Sequence, residues 1–197
     1  MILGALRTAG ISAAFPTEVS VDFGALGPGI IAIVGDNGVG KTTLLELSSV
    51  GTIFRRLPSY AEGLGTHLHP AAEHAFTELT FTLSGHEYRC RVQIDPQFSG
   101  DKGKTEAWLW CDGAAVAGER VTEVDRAVAE ILPPLDLLLA ANFACQSRAG
   151  SFFDQTKAAR KDLFIGMLGL KQLQRIAEAA AGGTRRVGQP RTHAGQR

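Results

Sequence analysis

The stretch "IIAIVGDNGVGKTTLLE", residues 30–46, decides the fold. Its first five residues are apolar and mostly β-branched, bounded by glycines, which predicts a short strand buried on both faces. Gly35 to Thr42 then satisfies G-x-x-x-x-G-K-[ST], and the residues that follow are helical in pattern up to Pro58. Strand, glycine loop and helix in that order form a phosphate cradle. Glycine lets the backbone turn so that successive N–H groups of Asp36, Asn37, Gly38, Val39 and Gly40 face one anion. The helix start adds free N–H groups and the positive end of the dipole. Lys41 reaches the β- and γ-phosphates, the Thr42 hydroxyl joins a Mg²⁺ shell, and Thr43 reaches the α-phosphate. The sequence contains no N-K-x-D element that would specify guanine.

Working outward, residues 3–6 and 19–23 suit two short strands, and "GALGPG" at 24–29 is a turn cluster. Residues 59–75 read as irregular. The period then changes to two. Leu79, Phe81 and Leu83 share one face; Tyr88, Cys90, Val92 and Ile94 share another, with Arg89, Arg91 and Gln93 opposite. That alternation across "SGHE" is a hairpin. "DPQFSGDKGK" is a polar loop, and "TEAWLWCDGAAV" gives a further strand with a turn at Asp112-Gly113. In residues 121–132 the spacing becomes helical, with Val121, Val124, Val128 and Ile131 on one face, Thr122 as a cap, and Pro133-Pro134 as the stop. Residues 135–146 lead into a polar loop. A helix starts near Asp154 or Thr156 and runs to Gly169, and a second short one covers residues 171–181.

The totals exclude several classes. The 197 residues are 45% hydrophobic, enough for one sizeable core. Formal net charge is zero, so composition points to no acidic or nucleic-acid partner. The last fourteen residues nevertheless carry four arginines and no acid, leaving 16 basic against 20 acidic side chains elsewhere. Cys90, Cys111 and Cys145 form no C-x-x-C pair, which argues for reduced thiols in a cytoplasmic protein rather than a disulfide framework. No apolar run reaches the ~20 residues of a membrane span.

The run before and through the glycine loop, with its short N-terminal hairpin, resembles the head domains of the SMC and SbcC-type ATPases, ABC-like enzymes of DNA repair and chromosome maintenance. The strands of residues 78–94 and 104–116 are similar to that family's insert, and "NFACQSRAGSFFDQTKAARKDLFIGMLGL" to its Q-loop run. The resemblance covers residues 1–181 and implies an α/β P-loop NTPase fold: an N-terminal lobe with a mixed sheet, an antiparallel β insert and flanking helices. It implies ATP and Mg²⁺ as cofactors, with Gln146 placing metal and attacking water. It further implies a C-terminal lobe, a second head in a dimer, an SbcD-like nuclease and double-stranded DNA ends as partners. The signature motif, the Walker B acid and a catalytic Glu have no counterpart in the chain, so hydrolysis by it alone is expected to be negligible. Residues 182–197 read as a disordered or aberrant tail. A related ATPase of phage recombination or defence, or an inactive nucleotide-binding remnant, are the alternatives.

Lesser features carry blander readings. "LSGH" at residues 83–86 lies between alternating strands and reads as a hairpin turn. His67, His69 and His74 lack a fourth zinc ligand at useful spacing and read as a solvated loop. Trp108 and Trp110 share a strand face, which favours cross-strand packing over stacking on bases. Arg55, Arg56, Arg89 and Arg91 fit exposed faces as well as DNA phosphates.

Overall fold

The computed structural model describes residues 1–27, 29–59, 63–72, 74–95, 104–142, 156–168, 170 and 176. The chain divides into two units, Met1–Leu135 and Asp136–Arg197.

The first unit is built on a six-stranded sheet of order β2-β1-β3-β4-β5-β6. Its strands are β1 (Ile2–Ala9), β2 (Val19–Asp22), β3 (Ala75–Leu83), β4 (His86–Asp95), β5 (Lys104–Cys111) and β6 (Ala114–Gly118). Every neighbouring pair is antiparallel. The register explains the alternation in the sequence. Leu6, Leu79, Cys90 and Leu109 face one another across four strands, and so do Thr8, Thr77, Val92 and Ala107. All eight are fully buried. The interleaved row on the other face is Arg7, Glu78, Arg91 and Trp108. A period of two thus separates an apolar face from a charged and aromatic one.

The buried face is covered by helices. α1 (Lys41–Glu46), a π-helical turn (Leu47–Gly51) and α2 (Thr52–Phe54) run without interruption. Thr43, Glu46, Leu47, Val50 and Ile53 are buried, an i, i+3, i+4 stripe turned to the sheet. The π turn has a local cause. The Thr52 backbone N–H and its hydroxyl both donate to the Leu47 carbonyl, and that hydroxyl oxygen also lies 2.7 Å from Thr77 Oγ1 on β3. Residue 51 must be glycine there, since a Cβ would sit 2.9 Å from the Glu46 carbonyl oxygen. α3 (Val121–Ile131) packs Val124 and Val128 over β5 and β6. Arg55, which ends α2 in the left-handed region, pairs with Asp125 of α3.

The lobe is thus the α/β arrangement expected, with three corrections. Residues 30–34 are not a buried strand and take no part in the sheet. Ile30 is fully exposed and Val34 is 90% exposed. Such a run needs polypeptide on both sides, and the described sheet ends at β2 and β6 instead. The sheet is therefore antiparallel among the described strands rather than mixed. Thr122 does not cap α3: the helix begins one residue earlier, at Val121, after Arg120 in extended conformation and without a side-chain cap. "LSGH" is a hairpin turn, with Ser84 and Gly85 at positive φ.

α4 (Leu135–Asn142) opens the second unit, in the stretch that was expected to lead into a polar loop. It starts just after Pro133-Pro134 with Asp136 in its first turn. Proline before a first turn fits a helix start as well as a helix stop. α5 (Lys157–Met167) is capped by Thr156, whose hydroxyl accepts from the Ala159 N–H at 3.2 Å. Residues 96–103 and the helix expected over 171–181 lie outside the described residues, apart from residue 176.

Candidate nucleotide-binding site

The glycine loop ends on α1. Its last residue, Gly40, is the N-cap, with φ 90° and ψ 16°. Side-chain-bearing residues pay a steric penalty in this left-handed region. Packing imposes a second demand. A Cβ on Gly40 would lie 2.7 Å from Ala14 Cβ and 2.8 and 2.9 Å from Phe15 Cζ and Cε1. Phe15 is 5% exposed in the β1–β2 connection, where its backbone N–H donates to the Ser12 carbonyl and its carbonyl accepts from Gly10. The loop therefore rests on a fixed aromatic floor. Gly38 also has positive φ, 87°, yet nothing lies within 4 Å of its Cβ position.

Lys41 curls back over the loop. Its Nζ donates to the Gly35 carbonyl at 2.8 Å and to the Asp36 carbonyl at 2.6 Å. An ammonium has three donors, so two are spent on the loop's own backbone. Asp36, Asn37, Gly38, Val39 and Thr42 are exposed, whereas Thr43 is 6% exposed. Of the expected contact residues, 36–39 and 42 lie at the surface around the helix start, Gly40 and Lys41 are half-buried, and Thr43 is turned into the core. Gln146 lies outside the described residues.

Two supports of this site were not legible as site residues. Phe15 sits in a loop without periodicity. Glu46, the last residue of α1, is fully buried; its Oε1 accepts the Ser59 N–H at 2.9 Å and the Ser59 hydroxyl. Its Oε2 is buried without a hydrogen-bond partner among the described residues. The available signal was an acid standing at a stripe position between Thr43 and Val50, where an aliphatic residue belongs.

The remaining candidates resolve into packing. Arg89 stacks over Trp110 at 3.9 Å, and Arg91 over Phe76 at 4.7 Å. Glu78, 9% exposed, gathers Arg7, Arg89 and Arg91 at 3.8, 4.0 and 3.4 Å. Trp108 covers Gly118, where a Cβ would fall 2.8 Å from the indole. Such pairs stabilise a solvated sheet face. His69 Nδ1 accepts from the Ala71 N–H, and His74 pairs with Asp95 at 2.9 Å. That partner holds the Asp95 carboxyl below the usual carboxylate range. His67, His69 and His74 do not form a metal cluster among the described residues. Burial pushes the Cys90 thiol up to about 12. Among the described residues no helix is long and apolar enough to cross a membrane.

Residues 13–131 match the AAA domain family model. The chain is 27% identical over 162 residues to the DNA double-strand break repair Rad50 ATPase of Methanopyrus kandleri. That alignment covers 77% of this chain and 17% of the relative, so the chain spans about a sixth of the relative's length.

Proposed function

The chain belongs to the AAA domain family, and from that premise we propose that it is the ATP-binding N-terminal lobe of an SbcC-like ATPase head serving DNA double-strand-break repair. The observation that carries this reading is the loop of residues 35–41, which a fixed aromatic floor holds in place and whose lysine bridges two backbone carbonyls. The fit to a triphosphate is chemical: positive φ at Gly38 and Gly40 turns the backbone amides, and the Lys41 ammonium needs only to exchange neutral carbonyls for phosphate oxygens. Asp36 to Gly40 supply N–H donors, Lys41 balances the β- and γ-phosphate charge, and Thr43 serves the α-phosphate. Thr42 and Gln146 would hold Mg²⁺, which would neutralise charge on the phosphates. Gln146 also positions the attacking water.

In this reading hydrolysis needs a second lobe. The exposed residues 30–34 support it, because a bare aliphatic segment just before the glycine loop offers apolar surface for other polypeptide to cover. Two such heads would pair across two ATP molecules, in the cytoplasm, with an SbcD-like nuclease acting on double-stranded DNA ends.

Titration of a fluorescent ATP analogue, with and without Mg²⁺, tests the proposal. The chain binds, Lys41→Ala abolishes binding, and turnover is negligible until a second lobe is added. Undiminished binding by Lys41→Ala, or steady turnover by the chain alone that Gln146→Ala does not slow, overturns it.

A further inference from the structure

We propose that His86, Cys111 and Asp112, brought together by two adjacent hairpin turns, form a surface site for a zinc-class divalent transition ion. The β3–β4 and β5–β6 connections are both two-residue turns, Ser84-Gly85 and Asp112-Gly113, with φ values of 52°, 86°, 49° and 80°. Positive φ at both central positions is the hairpin geometry that best matches strand twist, so both turns are firmly set. β4 lies between β3 and β5, which puts the two turns side by side at one end of the sheet.

The backbone then fixes the ligands. The Asp112 N–H donates to the Glu87 carbonyl at 2.8 Å, and Asp112 Oδ1 accepts the Glu87 N–H at 2.9 Å. One carboxylate oxygen is thereby tied to the sheet, and the other is presented to the side chains. Oδ2 lies 2.7 Å from His86 Nδ1 and 3.9 Å from Cys111 Sγ. The three ligand atoms all fall within 4.8 Å of one another.

Those distances suit a small tetrahedral ion. Zinc bonds of 2.0–2.3 Å to nitrogen, oxygen and sulfur place neighbouring ligand atoms about 3.3–3.6 Å apart. The two distances to Asp112 Oδ2, 2.7 and 3.9 Å, bracket that spacing, and the third pair, His86 with Cys111, lies within 4.8 Å. Exposed imidazole and carboxylate groups reach it by shifts of about an ångström, well within rotamer freedom. The donor set selects the metal: one thiolate and one imidazole favour zinc, cobalt or copper over magnesium or calcium, which prefer oxygen alone. Three protein ligands leave a fourth position for water or an external donor. On binding, the thiol proton and any proton shared between His86 and Asp112 pass to solvent while three metal–ligand bonds form.

Cobalt(II) titration of the full chain is the test, because a thiolate ligand gives a near-ultraviolet charge-transfer band and tetrahedral coordination gives intense visible bands. The wild-type chain takes up one equivalent with both signatures, and zinc displaces it. Cys111→Ser loses the charge-transfer band. His86→Ala weakens uptake at least about tenfold, given that losing even an outer-shell partner costs 10–100-fold. His69→Ala/His74→Ala leaves uptake unchanged. Circular dichroism checks that each variant is folded; these side chains are at the surface and outside the core. Absence of the band with excess metal, or a band that survives Cys111→Ser, overturns the assignment.

Discussion

Gly40→Ala separates two demands that the glycine loop places on one residue. Alanine at φ 90° costs about 1–2 kcal/mol of left-handed strain. Against this, Gly→Ala lowers the entropy of the unfolded chain, which offsets about 0.4–1 kcal/mol. The new methyl must also displace Phe15 and Ala14, whose atoms lie 2.7–2.9 Å from the Cβ position. Phe15 is packed and cannot swing away, so the overlap behaves as core overpacking, about 1–3 kcal/mol. Gly38→Ala is the internal reference: φ is 87° but the space is open, so strain and entropy remain and overlap drops out. Gly40→Ala should therefore be less stable than Gly38→Ala by about 1–3 kcal/mol, the size of the overpacking term alone. Urea unfolding followed by the fluorescence of Trp108 and Trp110 on β5 measures both. In a Phe15→Leu background the excess cost of Gly40→Ala should shrink by at least about 0.5 kcal/mol, the coupling expected of residues in contact. Equal costs at Gly38 and Gly40, or no coupling to Phe15, would refute the aromatic floor.

Glu46→Ala should destabilise by about 1–3 kcal/mol by leaving the half-buried Ser59 N–H without its acceptor, whereas Glu46→Gln, which keeps the accepting oxygen, costs under about 1 kcal/mol; thermal or urea unfolding of the pair checks this. Iodoacetamide at pH 8 should label Cys111 and spare Cys90, whose thiol stays protonated with a pKa of about 12, until urea unfolds the lobe; peptide mass spectrometry reads the site. The Asp95 carboxyl is depressed, so its contribution is present above the unfolded carboxylate pKa of about 3.9 and disappears as pH falls through the lower folded value. Asp95→Asn should accordingly be less stable than wild type near neutral pH, by no more than about 1 kcal/mol for so exposed a pair, with the difference gone at the acid end of a melting-temperature series.

The parts of the fold legible in the sequence are those whose period is settled within one hairpin or helix. Leu79, Phe81, Cys90 and Val92 alternate because the two strands share one helix-covered face, and Ser84-Gly85 and Asp112-Gly113 announce where the chain reverses. Val124 and Val128 likewise give α3 away. The glycine loop and the helix after it were legible because glycines at fixed spacing mark where the backbone takes positive φ, at Gly38 and Gly40. What packs beneath it was not. Phe15 and Glu46 act through tertiary contacts with Gly40 and Ser59, and a contact between a loop and a helix leaves no period behind. The π turn is similar: it depends on Thr52 meeting Thr77, 25 residues away.

Residues 30–34 show the limit from the other side. Periodicity records how much surface a finished protein hides, and is silent about which polypeptide hides it. Ile30, Ile31, Ile33 and Val34 are all exposed in this lobe. Burying side chains of that size yields about 1.5–3 kcal/mol each. Natural proteins seldom leave such a run bare beside a functional loop, since it is also an aggregation hazard. The expectation of a two-sided strand and the finding of an exposed segment are therefore compatible if the covering strands come from other polypeptide. The alignment with the Rad50 ATPase covers 17% of that relative's length.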